Sequence, residues 1–401
     1  MRTLLFGIAS FLTSGLLSVS WANETCENDL AKLDADFEGA RISACFVEGD
    51  SFEIRIDPED QPINPSPWYS FRVTPKQTGD LKVSIRYSYG KHRYRPKRSD
   101  DGRTWALIDA IYVRERQKGK RVVMTLEMGT EPFIVSAQEL ISGQAYESWE
   151  KGMVAKHPYL ERVKIGNSVE GRPIYALKST PSEPDSNREY VVLFGRQHPP
   201  ELSGAFAMLA FVSTVFADTE LATDFRNRFG IIAVSLMNPD GVANGNWRHN
   251  VNGKDLNRDW GPFTQPETQA AKKLLDDIAD DPNSQLRLML DFHSTKKNLF
   301  YTQTKKEKTK PEKFTARWLE SADERFDYYD FSREERHQRS LPTSKNYSFG
   351  RFGAPSMTYE VGDETNRAAI SRSAVVFAEE MMRILLSYDE DDLGKDKASR
   401  N

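Results

Sequence analysis

The chain has 401 residues, 38% of them hydrophobic and 28% charged, with a formal net charge of -4. That length exceeds one ordinary domain and predicts two. The composition is that of a soluble globular protein, and the faintly acidic balance excludes the basic surface that nucleic-acid binding needs.

Met1-Arg2 precedes an apolar run from Leu4 to Leu17, and Ser20-Trp21-Ala22 follows. A basic start, a short apolar stretch and small residues at the -3 and -1 positions predict a signal peptide over 1–22, cleaved after Ala22. The run is interrupted by Ser10, Thr13, Ser14 and Gly15 and is short for a membrane span. The expectation is a periplasmic or secreted protein with no membrane association after cleavage. Cys26 and Cys45 are the two cysteines of the chain, and in an oxidising compartment they are expected to form one disulfide.

Residues 23–145 are expected to form an N-terminal domain. Ser51–Ile56, Trp68–Val73 and Leu81–Tyr87 alternate apolar and polar side chains, and turn clusters such as Asp57-Pro58 separate them. That spacing predicts a small antiparallel β-sandwich. Lys91, Arg93, Arg95, Lys97 and Arg98 surround His92, and the cluster reads as a solvated face.

Residues 146–388 have a different pattern. Glu189–Gly195, Ile231–Leu236, Leu286–Phe292 and Ser356–Glu360 read as buried strands. Glu201–Phe216, Pro266–Ala279, Phe314–Phe326 and Ala368–Leu386 read as helices between or after them. The expected fold class is α/β, with a mixed, largely parallel central sheet flanked by helices. Lys305–Lys313 is a charged loop, and 389–401 reads as a disordered tail.

In such sheets ligands sit beyond the carboxyl ends of the strands, and His198, Asn238, His293 and Glu360 all end or follow strands. His198 and Glu201 can leave one strand-to-helix turn together, and His293 ends a neighbouring strand. Two imidazoles and one carboxylate make three ligands for a tetrahedral metal and leave a fourth position open, as catalytic zinc requires. Glu360 is then a candidate general base for the attacking water. His-x-x-Glu alone is weak; its position at a strand end is what raises it. His92, His157, His249 and His337 lack that placement. A polar loop adds Asn238-Pro239-Asp240-Gly241, Arg248 and Asp255-Leu256-Asn257-Arg258. Arginines beside a metal edge can bind a carboxylate or stabilise an oxyanion.

With Gly171-Arg172-Pro173-Ile174, these motifs resemble, in order, those of the zinc metallocarboxypeptidases. That class contains pancreatic carboxypeptidase A and the cytosolic carboxypeptidases, and the resemblance covers about Tyr159 to Leu386. It implies a carboxypeptidase-like fold and one Zn2+ ion held by His198, Glu201 and His293. Glu360 is implied as general base, Arg248 as the residue that polarises the scissile carbonyl, and Asp255 as the group that orients His198. Asn257 and Arg258 are implied to hold the substrate's terminal carboxylate, with Tyr347 the nearest candidate for the family's substrate-facing tyrosine. The implied partners are C-termini of peptides or proteins, cell-wall peptides among them. A basic pocket built from Arg339, Lys345 and Arg351 would select an acidic C-terminal residue. Two other readings are an amidohydrolase of the aspartoacylase and succinylglutamate desuccinylase kind, and a peptide-binding module without activity.

Overall fold

The computed structural model describes residues 25–181 and 188–388, so the expected leader (1–22) and tail (389–401) lie outside the described residues. Residues 26–136 supply two sheets that share one apolar core. Period-2 patterning builds it: Phe52, Ile54 and Ile56 point inward while Glu53 and Arg55 do not. The first sheet is antiparallel throughout, in the order Cys26–Glu27, Ala31–Asp34, Ser70–Pro75, Phe133–Ser136, Lys97–Ser99, Ala106–Leu107. The second contains one departure from the expected antiparallel pattern, because Ser51–Ile56 runs parallel to Gly79–Tyr87. Between these two strands the chain crosses to the other sheet as Ser70–Pro75 and returns, which permits a parallel neighbour. Cys26 and Cys45 are paired, with Cα atoms 5.7 Å apart.

The eight-stranded sheet is ordered Leu160–Asn167, Pro173–Ser179, Phe229–Val234, Arg188–Gly195, Ser284–Thr295, Ser356–Gly362, Leu299–Thr302, Ser332–Glu335. Phe229–Val234, Arg188–Gly195, Ser284–Thr295 and Ser356–Gly362 pair in parallel, so their carboxyl ends share one edge. Antiparallel pairs flank these four, and the sheet is mixed. Helices Leu202–Val215, Phe314–Asp323 and Arg367–Leu386 cover one face through Phe211, Trp318 and Phe377. Helix Pro266–Asp280 covers the other through Leu274, Leu275 and Ile278. Asn366 caps the last helix by accepting from Ala369 N. Among the described residues no single helix is long and apolar enough to cross a membrane.

Two features fix the site against this frame. Gly204 lets helix Leu202–Val215 approach the strand bearing His293 closely, since a Cβ there would lie 2.4 Å from the His293 carbonyl oxygen. Its amide donates to Ser294 Oγ at 2.8 Å. Trp247, from the larger α/β region, is fully buried in the sandwich core, with its indole N–H donating to the Trp68 carbonyl.

Candidate metal centre

Strand Arg188–Gly195 delivers the chain to Arg196-Gln197-His198, and helix Leu202–Val215 begins directly after Glu201. The adjacent parallel strand Ser284–Thr295 carries His293 to the same edge. One ligand atom from each of His198, Glu201 and His293 falls within 4.8 Å of the others, and all three residues are buried. His198 Nδ1 lies 2.9 Å from Glu201 Oε1, and His293 Nδ1 lies 2.8 Å from Glu201 Oε2. The two Nδ1 atoms are 3.2 Å apart.

The outer nitrogens decide the tautomers. His198 Nε2 sits 2.8 Å from Asp255 Oδ1, and His293 Nε2 sits 2.9 Å from Asp291 Oδ2. Each ring therefore directs Nε2 outward to a carboxylate and Nδ1 inward, the atom that would bind a metal once its proton is lost. With Glu201, that donor set fits zinc in a three-ligand site. Burial opposes the Glu201 charge, but His198 and His293 outweigh it and hold the carboxyl well below its usual range. Asp255 is likewise held low, with burial overcome by His198 and then Arg248.

Arg248 Nε donates to Asp255 Oδ2 at 2.8 Å, and its terminal nitrogen reaches within 4.0 Å of Glu201 Oε1. Asn257 Nδ2 lies 3.2 Å from His293 Nε2, which is proximity rather than a donated bond, since that ring nitrogen donates to Asp291. Ser344 N donates to Asn257 Oδ1 at 3.0 Å and fixes the amide. Glu360 pairs in register with His293 across two parallel strands. Its Oε2 is buried, and among the described residues it has no hydrogen-bond partner. Burial, and then the Glu201 charge, raises its pKa to about 7.

A cavity of about 300 Å³ opens over these groups, and His198, Glu201, Arg248, Asn257, Arg258 and Glu360 line it. Tyr347 is not among its walls, which corrects the expectation of a substrate-facing role. Helix Ser344–Phe352 turns the Tyr347 ring outward onto Phe263, with centroids 4.8 Å apart. The cavity's tyrosine is Tyr301, from strand Leu299–Thr302, which pairs antiparallel with Ser356–Gly362. Of the expected basic trio, Lys345 lines the cavity, whereas Arg339 does not and Arg351 faces Asp276 and Asp280. Arg336 takes a place in the wall instead.

The cluster around His92 is not uniformly solvated. Arg93 enters the cavity and donates to Asp363 Oδ2 and Ser66 Oγ, each at 2.8 Å, while Lys97 is buried against Gln138. A charge run reads as solvated only until another sheet packs against it.

The zinc carboxypeptidase family profile matches residues 146–382. Cytosolic carboxypeptidase 6 of Homo sapiens is 32% identical over 144 residues, which is 34% of this chain and 28% of that protein. The Mus musculus protein of the same name is 30% identical over 142 residues, 34% of this chain and 26% of that one. The chain thus spans little more than a quarter of the length of these curated relatives. A metallo-carboxypeptidase from Burkholderia cenocepacia has the same fold, with a TM-score of 0.73 at 19% identity, covering 89% of this chain and 98% of that one.

The relatives' names overturn the expectation of a periplasmic or secreted protein, because those proteins are named cytosolic carboxypeptidases. The expectation of cell-wall peptides rested on that compartment.

Proposed function

Because the chain belongs to the zinc carboxypeptidase family, we propose that it is a zinc-dependent carboxypeptidase releasing the C-terminal residue of a peptide or protein. Zinc is that family's cofactor, and His198, Glu201 and His293 are the residues that would hold it. Bound there, zinc supplies Lewis acidity that lowers the pKa of water and polarises a carbonyl oxygen.

The chain's own residues do the rest. Glu360 takes the proton of the attacking water and returns it to the leaving amine. Arg248, anchored through Nε, presents its terminal nitrogens to the charge that develops on the carbonyl oxygen. Asn257 and Arg258 hold the free terminal carboxylate. Asp255 keeps His198 in the tautomer that binds metal and orients Arg248 with its second oxygen. Arg336 and Lys345 favour an acidic side chain on the released residue.

The observation that carries this reading is the buried, unpartnered Glu360 Oε2 in the same cavity as three converging ligand atoms. A pair of peptides tests it, one with a free C-terminus and the other with that terminus amidated. The zinc-loaded protein is expected to shorten the first and spare the second. Equal cleavage of both, or none of either, sinks the proposal.

A further inference from the structure

The loop that carries Arg248 belongs to the catalytic region, yet its backbone is held by the N-terminal sandwich. Three consecutive amides, those of Trp247, Arg248 and His249, donate to the carboxylate of Glu59. The bonds are 2.7 Å to Oε2, 2.8 Å to Oε1 and 2.7 Å to Oε1. The neighbouring Asp60 Oδ1 lies 2.7 Å from His249 Nδ1. Arg41, also from the sandwich, donates to Asn246 Oδ1 at 3.3 Å, and Asn246 Nδ2 donates to the His249 carbonyl. Trp247 is driven into the sandwich core beside these contacts. The loop is therefore clamped on both sides of Arg248 by residues far away in sequence.

We infer that Glu59 is a positioning residue for Arg248, and that aiming this arginine is a task of the N-terminal sandwich. This rests on the proposed carboxypeptidase role of Arg248. A turn has few hydrogen-bond partners of its own, so its backbone amides need acceptors from elsewhere. Charged acceptors give the stronger bonds, and one carboxylate here serves three successive donors. An arginine that must meet a developing oxyanion depends on sub-ångström placement, since a shift of about 1 Å can cost about 100-fold in rate. Side-chain anchoring through Asp255 fixes one end of Arg248, and Glu59 fixes the other.

Glu59→Gln in the full chain tests this, because the change is nearly isosteric. The glutamine oxygen can keep the Arg248 and His249 amides, but its NH2 group then faces the Trp247 N–H, donor against donor. The expected result is faster hydrogen exchange of the amides at 247–249, with exchange in strand Ser284–Thr295 and zinc content unchanged. On a peptide substrate of the wild-type protein, kcat is expected to fall about 10- to 100-fold while KM changes less than about threefold. Glu53→Gln, which removes a partner of Arg86 on the sandwich's outer face, is expected to leave 247–249 exchange unchanged. Unchanged exchange at 247–249 in Glu59→Gln overturns the inference, and so does a loss of rate without faster exchange. Absence of wild-type peptide cleavage would instead count against the proposed function, while the exchange measurement still decides whether Glu59 holds the loop.

Discussion

Asp291 and His293 stand two residues apart on one strand, and the carboxylate of the first accepts from Nε2 of the second at 2.9 Å. Alternation along a strand puts residues i and i+2 on one face, so the sequence spacing itself creates the contact. Asp291 Oδ2 also accepts from Gln197 Nε2 at 2.6 Å and from the Ser344 hydroxyl, which holds the carboxylate still. Asp291→Asn keeps the shape but removes the charge that makes His293 a good ligand. Zinc affinity is expected to weaken about 10- to 100-fold, measured by competition with a chromophoric chelator. Wild-type affinity in the variant would remove Asp291 from the metal's support.

Zinc removal should also register in stability and in protons. Asp291 and Glu201, working against burial, raise His293 well above the ordinary imidazole range. Metal must displace that proton, so uptake is expected to release it and affinity to weaken as pH falls. A ligand bound only by the folded state stabilises it by mass action, about 4 kcal/mol at 1,000 times the dissociation constant. Chelation is thus expected to lower the melting temperature and abolish turnover, and added zinc to restore both. A melting curve indifferent to chelator and zinc would mean that the three-residue cluster holds no structural load of metal.

Glu360→Gln separates base from ligand. Glu360 is outside the three-residue cluster, so zinc content is expected to stay at the wild-type level. General-base catalysis is worth about 10²- to 10⁴-fold, and kcat is expected to fall by that factor. The pH profile follows from the same group. Its folded pKa is raised, from the usual carboxylate range to about 7, by burial and then by Glu201. The carboxylate is the active form, so activity is retained above that pKa and lost as pH falls through it. Zinc's charge favours the carboxylate and moves the acid limb of the loaded enzyme below the titration of the zinc-free protein. An acid limb that is the same in wild type and in Glu360→Gln, or full turnover in Glu360→Gln with zinc retained, would take Glu360 out of the chemistry.

The parts of this protein that sequence could show are those whose pattern is local. Leu286–Phe292, with five of its seven residues apolar, leads to His293, and Ser356–Glu360, with Met357 and Tyr359, leads to Glu360; both lie within observed strands. The helix after Glu201 is apolar nearly all round because one face meets the sheet and other helices enclose it. Strand Leu160–Asn167 forms the sheet's edge, and Glu161, Arg162 and Lys164 break up its apolar residues; its neighbour Pro173–Ser179 offers only the short run Ile174–Leu177, and neither is among the expected strands. Arg93, Glu59 and Arg336 escaped for another reason: each acts through a partner distant in the chain, which no spacing rule reaches. Tyr347 was assigned by proximity in sequence to Glu360, but the helix that carries it turns the ring toward Phe263 and Trp260. Asp291 alone among the omissions had a local signal, its position two residues before a ligand on a strand.

Lys345 provides the test of substrate choice. Its ammonium donates to the Arg336 carbonyl at 2.7 Å and to Asn346 Oδ1 at 3.0 Å, and it lines the cavity with Arg336 and Arg258. Burial lowers its pKa to about 8. A lysine lowered in this way is charged below about 8 and loses its charge as pH rises through that value. Pairing with a substrate carboxylate is therefore strong at neutral pH and fades in mild alkali. Peptides ending in glutamate are expected to be cleaved faster than those ending in phenylalanine or lysine at pH 7, with KM for the glutamate peptide rising above pH 8. Lys345→Met keeps the stem and removes the charge; an unpaired acidic side chain in the pocket then costs about 10-fold or more in kcat/KM for that peptide. The phenylalanine peptide should change little, because it never used the charge. Equal losses for both peptides would assign Lys345 to the pocket's structure, and a faster phenylalanine substrate in the wild-type protein would dismiss acidic selection altogether.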